Sequence, residues 1–227
     1  MLSDDELKIL AVFTMLIDHI GVLFFPHITL FRLVGRIAFP VFCFLISYSF
    51  IKTTNRIKLF YKLFIFAVLS EIIYDLFFYH ELFYFDSQNI FFQYALCLLG
   101  WILYCDVKEK NKGKISHFVI FEIYVLIGIL LGILSIFLYL GYEYIGVVYI
   151  WILLYIYENN HYVFPLFILI LLSLFVLDAG IFIQNFIIIF CLIMGKHERK
   201  MRMKWVYLFY PIHLCILYGV WMIIGNV

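Results

Sequence analysis

The stretch that decides the fold is ELKILAVFTMLIDHIGVLFF, residues 6–25. An apolar helix of about 20 residues spans the hydrocarbon core of a bilayer. Similar runs recur to the end of the chain, in which 67% of the residues are hydrophobic and only 14% are charged. Backbone groups in lipid must be satisfied internally, so continuous runs of this length form helices. The sequence therefore predicts an all-α, polytopic transmembrane bundle.

We predict about nine helices in a single domain that covers residues 1–227, with the first helix beginning at a capping box formed by Ser3 and Glu6. The predicted spans are 6–25, 31–51, 60–79, 89–105, 116–139, 143–158, 162–178, 180–195 and 205–225. The membrane itself is the first expected partner of such a chain. A net charge of +1 gives no reason to expect a nucleic-acid partner. The five cysteines are scattered singly, so we expect no metal site and no disulfide framework.

Orientation follows from the positive-inside rule. With nine helices, Lys8 and three basic clusters lie on one side, which predicts a cytoplasmic N-terminus. The clusters are Lys52, Arg56, Lys58 and Lys62; Lys108, Lys110, Lys112 and Lys114; and Lys196, Arg199, Lys200, Arg202 and Lys204.

Asp18 and His19 interrupt the first apolar run near its outer end. Neighbours on a helix point about 100° apart, so each side chain needs its own partner. An ionisable residue inside a membrane span is a functional candidate, and histidine exchanges a proton near neutral pH. We therefore predict His19 as a catalytic general base, and Asp18 as a supporting residue that orients a partner or joins an arginine network.

Arg32 and Arg36 are the exceptions to the positive-inside pattern, because they lie at the outer end of the second span. Glu71 and Asp75 have the same four-residue spacing near the outer end of the third span. Since these two spans run antiparallel, we expect Arg32 to pair with Asp75 and Arg36 with Glu71. Such a ladder could fix helix register alone, or it could present the arginines to a polar cavity.

Further polar residues extend this candidate site. Lys8 and His19 are separated by ten residues and share a helix face about 16 Å apart, a reach that suits the pantetheine arm of coenzyme A. Gln88 and Asn89 either bind the acceptor or cap the fourth helix. Pro211 predicts a kink that presents His213 to the bundle, where it relays a proton or contacts the ligand.

Six blocks of the chain resemble the successive signatures of TraX-type membrane proteins, which include the F-pilin acetylase. The blocks are LKILAVFTMLIDHIG, RLVGRIAFPVFCFLI, FAVLSEIIYDLFF, QNIFFQYALCLL, YEYIGVVYI and KWVYLFYPIHLCILY. These proteins are similar in turn to a wider group of membrane acyltransferases, in one branch of which a basic residue precedes a histidine at the spacing of Lys8 and His19. The resemblance implies acetyl transfer from cytoplasmic acetyl-CoA, in a bacterial cytoplasmic membrane, to a peptide amine or a glycan hydroxyl.

On this hypothesis His19 deprotonates the acceptor, and Arg36 or Arg32 stabilises the oxyanion. Lys8, Arg32 and His213 contact acetyl-CoA, while Glu71, Asp75, Gln88 and Asn89 bind the acceptor or support the site. A covalent acetyl-histidine intermediate is the alternative route. Two other functions also fit the residues, an ion- or proton-coupled transporter and a non-catalytic assembly factor of a secretion or conjugation apparatus. The sequence leaves the oligomeric state and the identity of the acceptor open.

Overall fold

Helices form almost all of the computed structural model, which describes residues 2–176, 178–196 and 204–225. The helices are α1 (Asp4–Phe24), α2 (Thr29–Gly35), α3 (Ala38–Lys52), α4 (Arg56–Tyr79), α5 (Ile90–Lys110), α6 (His117–Phe137), α7 (Glu143–Asn159), α8 (Val163–Phe175), α9 (Ala179–Met194) and α10 (Lys204–Gly225). Two short strands, β1 (Leu2–Ser3) and β2 (Gly195–Lys196), pair in parallel. The predicted all-α bundle is therefore confirmed for the described part of the chain.

The second predicted span, residues 31–51, differs from the prediction because it consists of two helices, α2 and α3. Only Arg36 and Ile37 separate α2 from α3, and both residues keep helical backbone angles. Counting α2 and α3 as one span, all nine predicted helices occur within the described residues. The break matters for function because it lies at one of the two predicted outer arginines.

Side-chain caps explain where several helices begin. Ser3 and Glu6 form the predicted capping box at the start of α1. Four other helices in the described part of the chain begin at a simpler cap, in which a side-chain oxygen accepts a backbone N–H of the first turn. These caps are Asn55 for α4, Asn89 for α5, Ser116 for α6 and Asp178 for α9.

Five spans in the described residues are long and apolar enough to cross a membrane: Asp4–Phe24, Thr29–Lys52, Ile90–Lys110, His117–Phe137 and Trp205–Ile224. Helices α8 and α9 are apolar but shorter. Together these helices show an integral membrane protein.

Two contacts agree with the predicted arrangement of helix ends. The parallel pairing of Leu2 with Gly195 places the start of α1 beside the end of α9. An ion pair of 2.8 Å between Lys108 and Glu158 joins the ends of α5 and α7. Both contacts join helix ends that the nine-helix count assigns to the same side of the membrane. Helix α1 packs on α2, α3 and α10, and α4 packs on α5 and α10.

Candidate active site

A cavity of about 330 Å³ lies among α1, α2, α3, α4, α5 and α10. This volume is at the lower end of the range for small-molecule sites. The polar residues that line it are Asp18, His19, Arg32, Arg36, Ser87, Gln88 and the tyrosines Tyr74, Tyr79, Tyr94, Tyr142, Tyr207 and Tyr210. Arg32 is about half exposed, with 51% of its side-chain area accessible, so this end of the cavity reaches the molecular surface.

His19 and His213 form a buried pair at the wall of this cavity. Nδ1 of His19 lies 2.6 Å from Nε2 of His213, and the two rings are nearly parallel with their centroids 4.9 Å apart. Phe77 and Phe78 enclose the His19 ring, with centroids 5.4 and 5.5 Å away. His19 lines the cavity, whereas His213 lies outside its wall. A pair separated by 194 residues in sequence therefore joins the first and last helices.

The partner of His213 fixes the direction of this hydrogen bond. Nδ1 of His213 lies 2.8 Å from the carbonyl oxygen of Phe209. A carbonyl oxygen only accepts hydrogen bonds, so Nδ1 of His213 must carry the proton. In the neutral imidazole Nε2 is then an acceptor, and the proton between the two rings belongs to Nδ1 of His19. Nε2 of His19 is left with its lone pair, which is the form that a general base requires.

Asp18 and Arg32 form the ion pair that borders His19. Nη1 of Arg32 donates to Oδ2 of Asp18 over 2.9 Å. A Cβ atom added at Gly35 would lie 2.3 Å from Cγ of Asp18, so the glycine permits α2 to approach the carboxylate closely. The prediction that Asp18 and His19 need separate partners is confirmed, as is the place of Asp18 in an arginine network.

Arg36 lines the cavity from the break between α2 and α3. None of the ion pairs among the described residues involves it. Its guanidinium packs against Gly180 in the first turn of α9, where a Cβ atom would lie 2.8 Å from Nε of Arg36. Among the described residues, the cavity wall thus contains both His19 and a cation that forms no ion pair with a carboxylate.

The predicted ladder of Arg32 with Asp75 and Arg36 with Glu71 is wrong. Oε2 of Glu71 accepts from both the backbone N–H and the side-chain amide of Asn89. Oδ2 of Asp75 accepts from the backbone N–H of Tyr84 over 3.0 Å. The acids thus accept hydrogen bonds from the connection between α4 and α5, where Asn89 is fully buried and needs partners for its polar groups.

Gln88 and Asn89 have different places in the structure. Gln88 lines the cavity and hydrogen bonds to the backbone of Phe85. Asn89 is fully buried, caps α5 through its side-chain oxygen and donates to the carbonyl of Ala67 over 2.7 Å. Asn89 was predicted either to bind the acceptor or to cap the helix, and the structure confirms the cap.

Lys8 faces the interior of the bundle, as its shared face with His19 predicts. Its side chain is 1% exposed and donates to Oδ1 of Asp5 over 2.6 Å. Lys8 lies outside the cavity wall, and its contact with donor phosphates stays a prediction. Lys62 does not line the cavity either, but its Nζ lies 3.7 Å from the ring centroid of Tyr207, which does. Arg199, Lys200 and Arg202 of the third basic cluster lie outside the described residues.

The tyrosines and glycines of the site were not predicted from the sequence. Tyr142 lies at a helix start, where interfacial aromatic residues are expected for other reasons. Tyr74, which hydrogen bonds to Ser87 over 2.8 Å, is one of many aromatic residues in apolar runs. The glycine in GRIAFP, Gly35, was the available signal, because a glycine beside a charged residue in a span indicates a close approach.

Comparisons with known proteins are consistent with this architecture. The model of a family described as TraX protein matches residues 3–221. A protein of Rickettsia prowazekii (strain Madrid E), named Uncharacterized protein RP591, is 56% identical over 46 residues, which are 20% of this chain and 18% of that protein. The chain thus matches less than a fifth of the length of this relative. No solved structure matches the chain.

Proposed function

This chain belongs to the TraX family, and from that premise we propose that it is a membrane-embedded acetyltransferase. The acetyl group moves from acetyl-CoA to an amine or hydroxyl acceptor. The observation that carries the proposal is that His19 and Arg36 line one cavity, and that His213 holds His19 by a hydrogen bond from behind the cavity wall. A base with a fixed tautomer and a nearby cation are the two elements that acyl transfer requires.

The direct route uses each of these groups once. Nε2 of His19 takes the proton of the acceptor as the acceptor attacks the thioester carbonyl. The cation that forms on His19 is shared with His213 through their hydrogen bond. Arg36 stabilises the oxyanion of the tetrahedral intermediate. Collapse of the intermediate breaks the carbon–sulfur bond, and the departing thiolate of coenzyme A takes the proton from His19.

The covalent route uses the same nitrogen as a nucleophile. Nε2 of His19 attacks the thioester, releases coenzyme A and forms an acetyl-histidine, which the acceptor then cleaves. Both routes require the Nδ1 proton of His19 to be held by His213, since otherwise Nε2 is not a free lone pair. The two routes differ in whether label from acetyl-CoA stays on the protein in the absence of acceptor.

Donor and acceptor enter from opposite ends in this proposal. Gln88 and Tyr142 line the end formed by the α4–α5 and α6–α7 connections, which we assign to the outer face of a bacterial cytoplasmic membrane. Tyr207 lines the other end, where Lys62 lies over its ring. We assign Lys62 to the phosphates of acetyl-CoA, on the cytoplasmic side that the positive-inside rule predicts. The acceptor is a peptide amine, as for the F-pilin acetylase, or a glycan hydroxyl.

A proton-coupled transporter is the second candidate, and one observation favours it. Oε1 of Glu71 and Oδ1 of Asp75 are buried without a hydrogen-bond partner among the described residues. Buried carboxylates in a membrane protein are typical of proton pathways. Neither acid lines the cavity that contains His19, however, so they give a transporter no connected path in the described residues.

The test is performed on purified protein in detergent with radiolabelled acetyl-CoA. We expect the wild type to bind the donor and to release coenzyme A slowly, as slow thioester hydrolysis or transfer to added amines and sugars. His19→Ala is expected to keep donor binding and lose turnover. His27→Ala, in the exposed turn after α1, is the matched control and should behave as the wild type. Absence of donor binding in the wild type would exclude the acetyltransferase.

A further inference from the structure

Helix α9 contributes no residue to the cavity wall, yet its first turn touches Arg36, which forms none of the ion pairs among the described residues. A Cβ atom at Gly180 would lie 2.8 Å from Nε and 3.2 Å from Cζ of Arg36. Since the contact with Nε is shorter than real Cβ atoms show and the contact with Cζ is tight, the guanidinium occupies the space that a side chain would fill. Gly180 is buried, so this space is inside the protein.

The Asp178 carboxylate makes the N-terminus of α9 favourable for a nearby cation. Backbone N–H groups make the N-terminus of a helix positive, which alone would repel a guanidinium. Asp178 caps α9, with its Oδ1 accepting the N–H of Ile181 over 3.0 Å. The same oxygen would lie 2.9 Å from a Cβ atom at Gly180, so Asp178 and Arg36 face each other across the glycine. The carboxylate compensates the positive helix end without forming an ion pair with Arg36 in the described residues.

We propose that Gly180 is a positioning residue for Arg36, and that the first turn of α9 fixes the position of the guanidinium at the cavity. The inference rests on the proposed function, because it concerns the cation that stabilises the oxyanion. Gly180 itself touches neither donor nor acceptor. Because Gly180 has no side chain, it leaves room for the guanidinium between the α2–α3 break and the capped end of α9.

The variant Gly180→Ala tests this role with a single methyl group. Ordinary contact begins at 3.4 Å, so the guanidinium must move by about 0.6 Å. Alanine favours the helix, whereas the new Cβ atom also crowds Oδ1 of the exposed Asp178. We therefore expect the melting temperature to stay within about 2 °C of the wild-type value. Since misplacement of about 1 Å can cost about 100-fold in rate, we expect kcat to fall roughly 10- to 100-fold while KM for acetyl-CoA stays within about twofold.

Gly219→Ala is the matched control, because it makes the same change in α10 with nothing within 4 Å of the new Cβ atom. It should leave kcat unchanged. A double-mutant cycle gives the decisive readout: in an Arg36→Ala background, Gly180→Ala should cause no further loss of kcat. A loss of similar size in both backgrounds, or wild-type kcat in the single variant, would overturn the positioning role.

The same double-mutant cycle can be measured by thermal unfolding, which does not depend on any enzymatic activity. With Arg36 present, the gain in helix propensity from Gly180→Ala is offset by the displaced guanidinium. With Arg36→Ala, the same substitution should raise the melting temperature more, by about 2–4 °C. Equal shifts in both backgrounds would refute the contact. If the wild type transfers no acetyl group but this cycle shows coupling, the proposed function is refuted while the contact of Gly180 with Arg36 is confirmed.

Discussion

Replacing His213 by phenylalanine removes the acceptor that holds the Nδ1 proton of His19, while a ring of similar size keeps the stack. The buried N–H of His19 then has no partner, which costs about 1–3 kcal/mol. The ring can avoid this cost by moving the proton to Nε2, and that form cannot act as the base. The free-energy difference converts to a fall in kcat of about 5- to 160-fold.

The assay is release of coenzyme A by detergent-solubilised protein at saturating acetyl-CoA, followed with a thiol reagent. His213→Gln is the informative companion, because its side-chain oxygen can accept the Nδ1 proton of His19. We expect His213→Gln to retain more activity than His213→Phe, and both to bind the donor. His80→Phe is a control that changes an exposed histidine stacked on Trp221, and it should leave kcat unchanged.

Two results would refute this reasoning. A kcat for His213→Phe within twofold of the wild type would show that His213 does not orient His19. Equal losses in the phenylalanine and glutamine variants, with unchanged melting temperatures, would show that the hydrogen-bond acceptor is not what His213 supplies. Loss of folding in both variants would be visible in the melting curve before any kinetic comparison.

Three further changes test other parts of the structure. Gly35→Ala places a Cβ atom 2.3 Å from Cγ of Asp18 and should lower stability by about 1–3 kcal/mol, seen as a lower melting temperature; an unchanged value would contradict the close approach. Asn89→Ala removes a fully buried cap and its bonds to α4, and unfolding in denaturing detergent should show a loss of about 2–4 kcal/mol. Lys62→Met should raise KM for acetyl-CoA about 3- to 10-fold, with the exposed Lys58→Met as control; equal values in the two would exclude Lys62 from the donor site.

The helices were predictable because lipid imposes one local rule on every span. Apolar length and the capping box at Ser3 and Glu6 were enough to place α1 and the nine-helix pattern. The break at Arg36 was not predictable, since its backbone stays helical on both sides and apolar residues continue through it. Gly35, the last residue of α2, lies against Asp18 at this break, and such a tertiary contact cannot be read from a local apolar pattern.

The sequence predicted which residues belong to the site better than it predicted which of them contact each other. His19 and Asp18 were visible as ionisable residues in an apolar run, and each does have a separate partner. His213 was visible as well, but its contact with His19 was not. Helices that are apolar nearly all round give no signal of which neighbour they face. The contact between α1 and α10 therefore needed the structure.

The wrong ladder shows which physical constraint the sequence argument omitted. Equal depth in antiparallel helices places two residues at one level, but it does not rotate their side chains toward each other. The connection between α4 and α5 offers N–H groups at the partly exposed Tyr84 and the buried Asn89, and these groups compete with the arginines for the two carboxylates. Glu71 and Asp75 accept from these groups, and Arg36 forms no ion pair within the described part of the chain. A cation that the fold leaves without a carboxylate can stabilise an oxyanion, whereas a cation in a closed ladder could not.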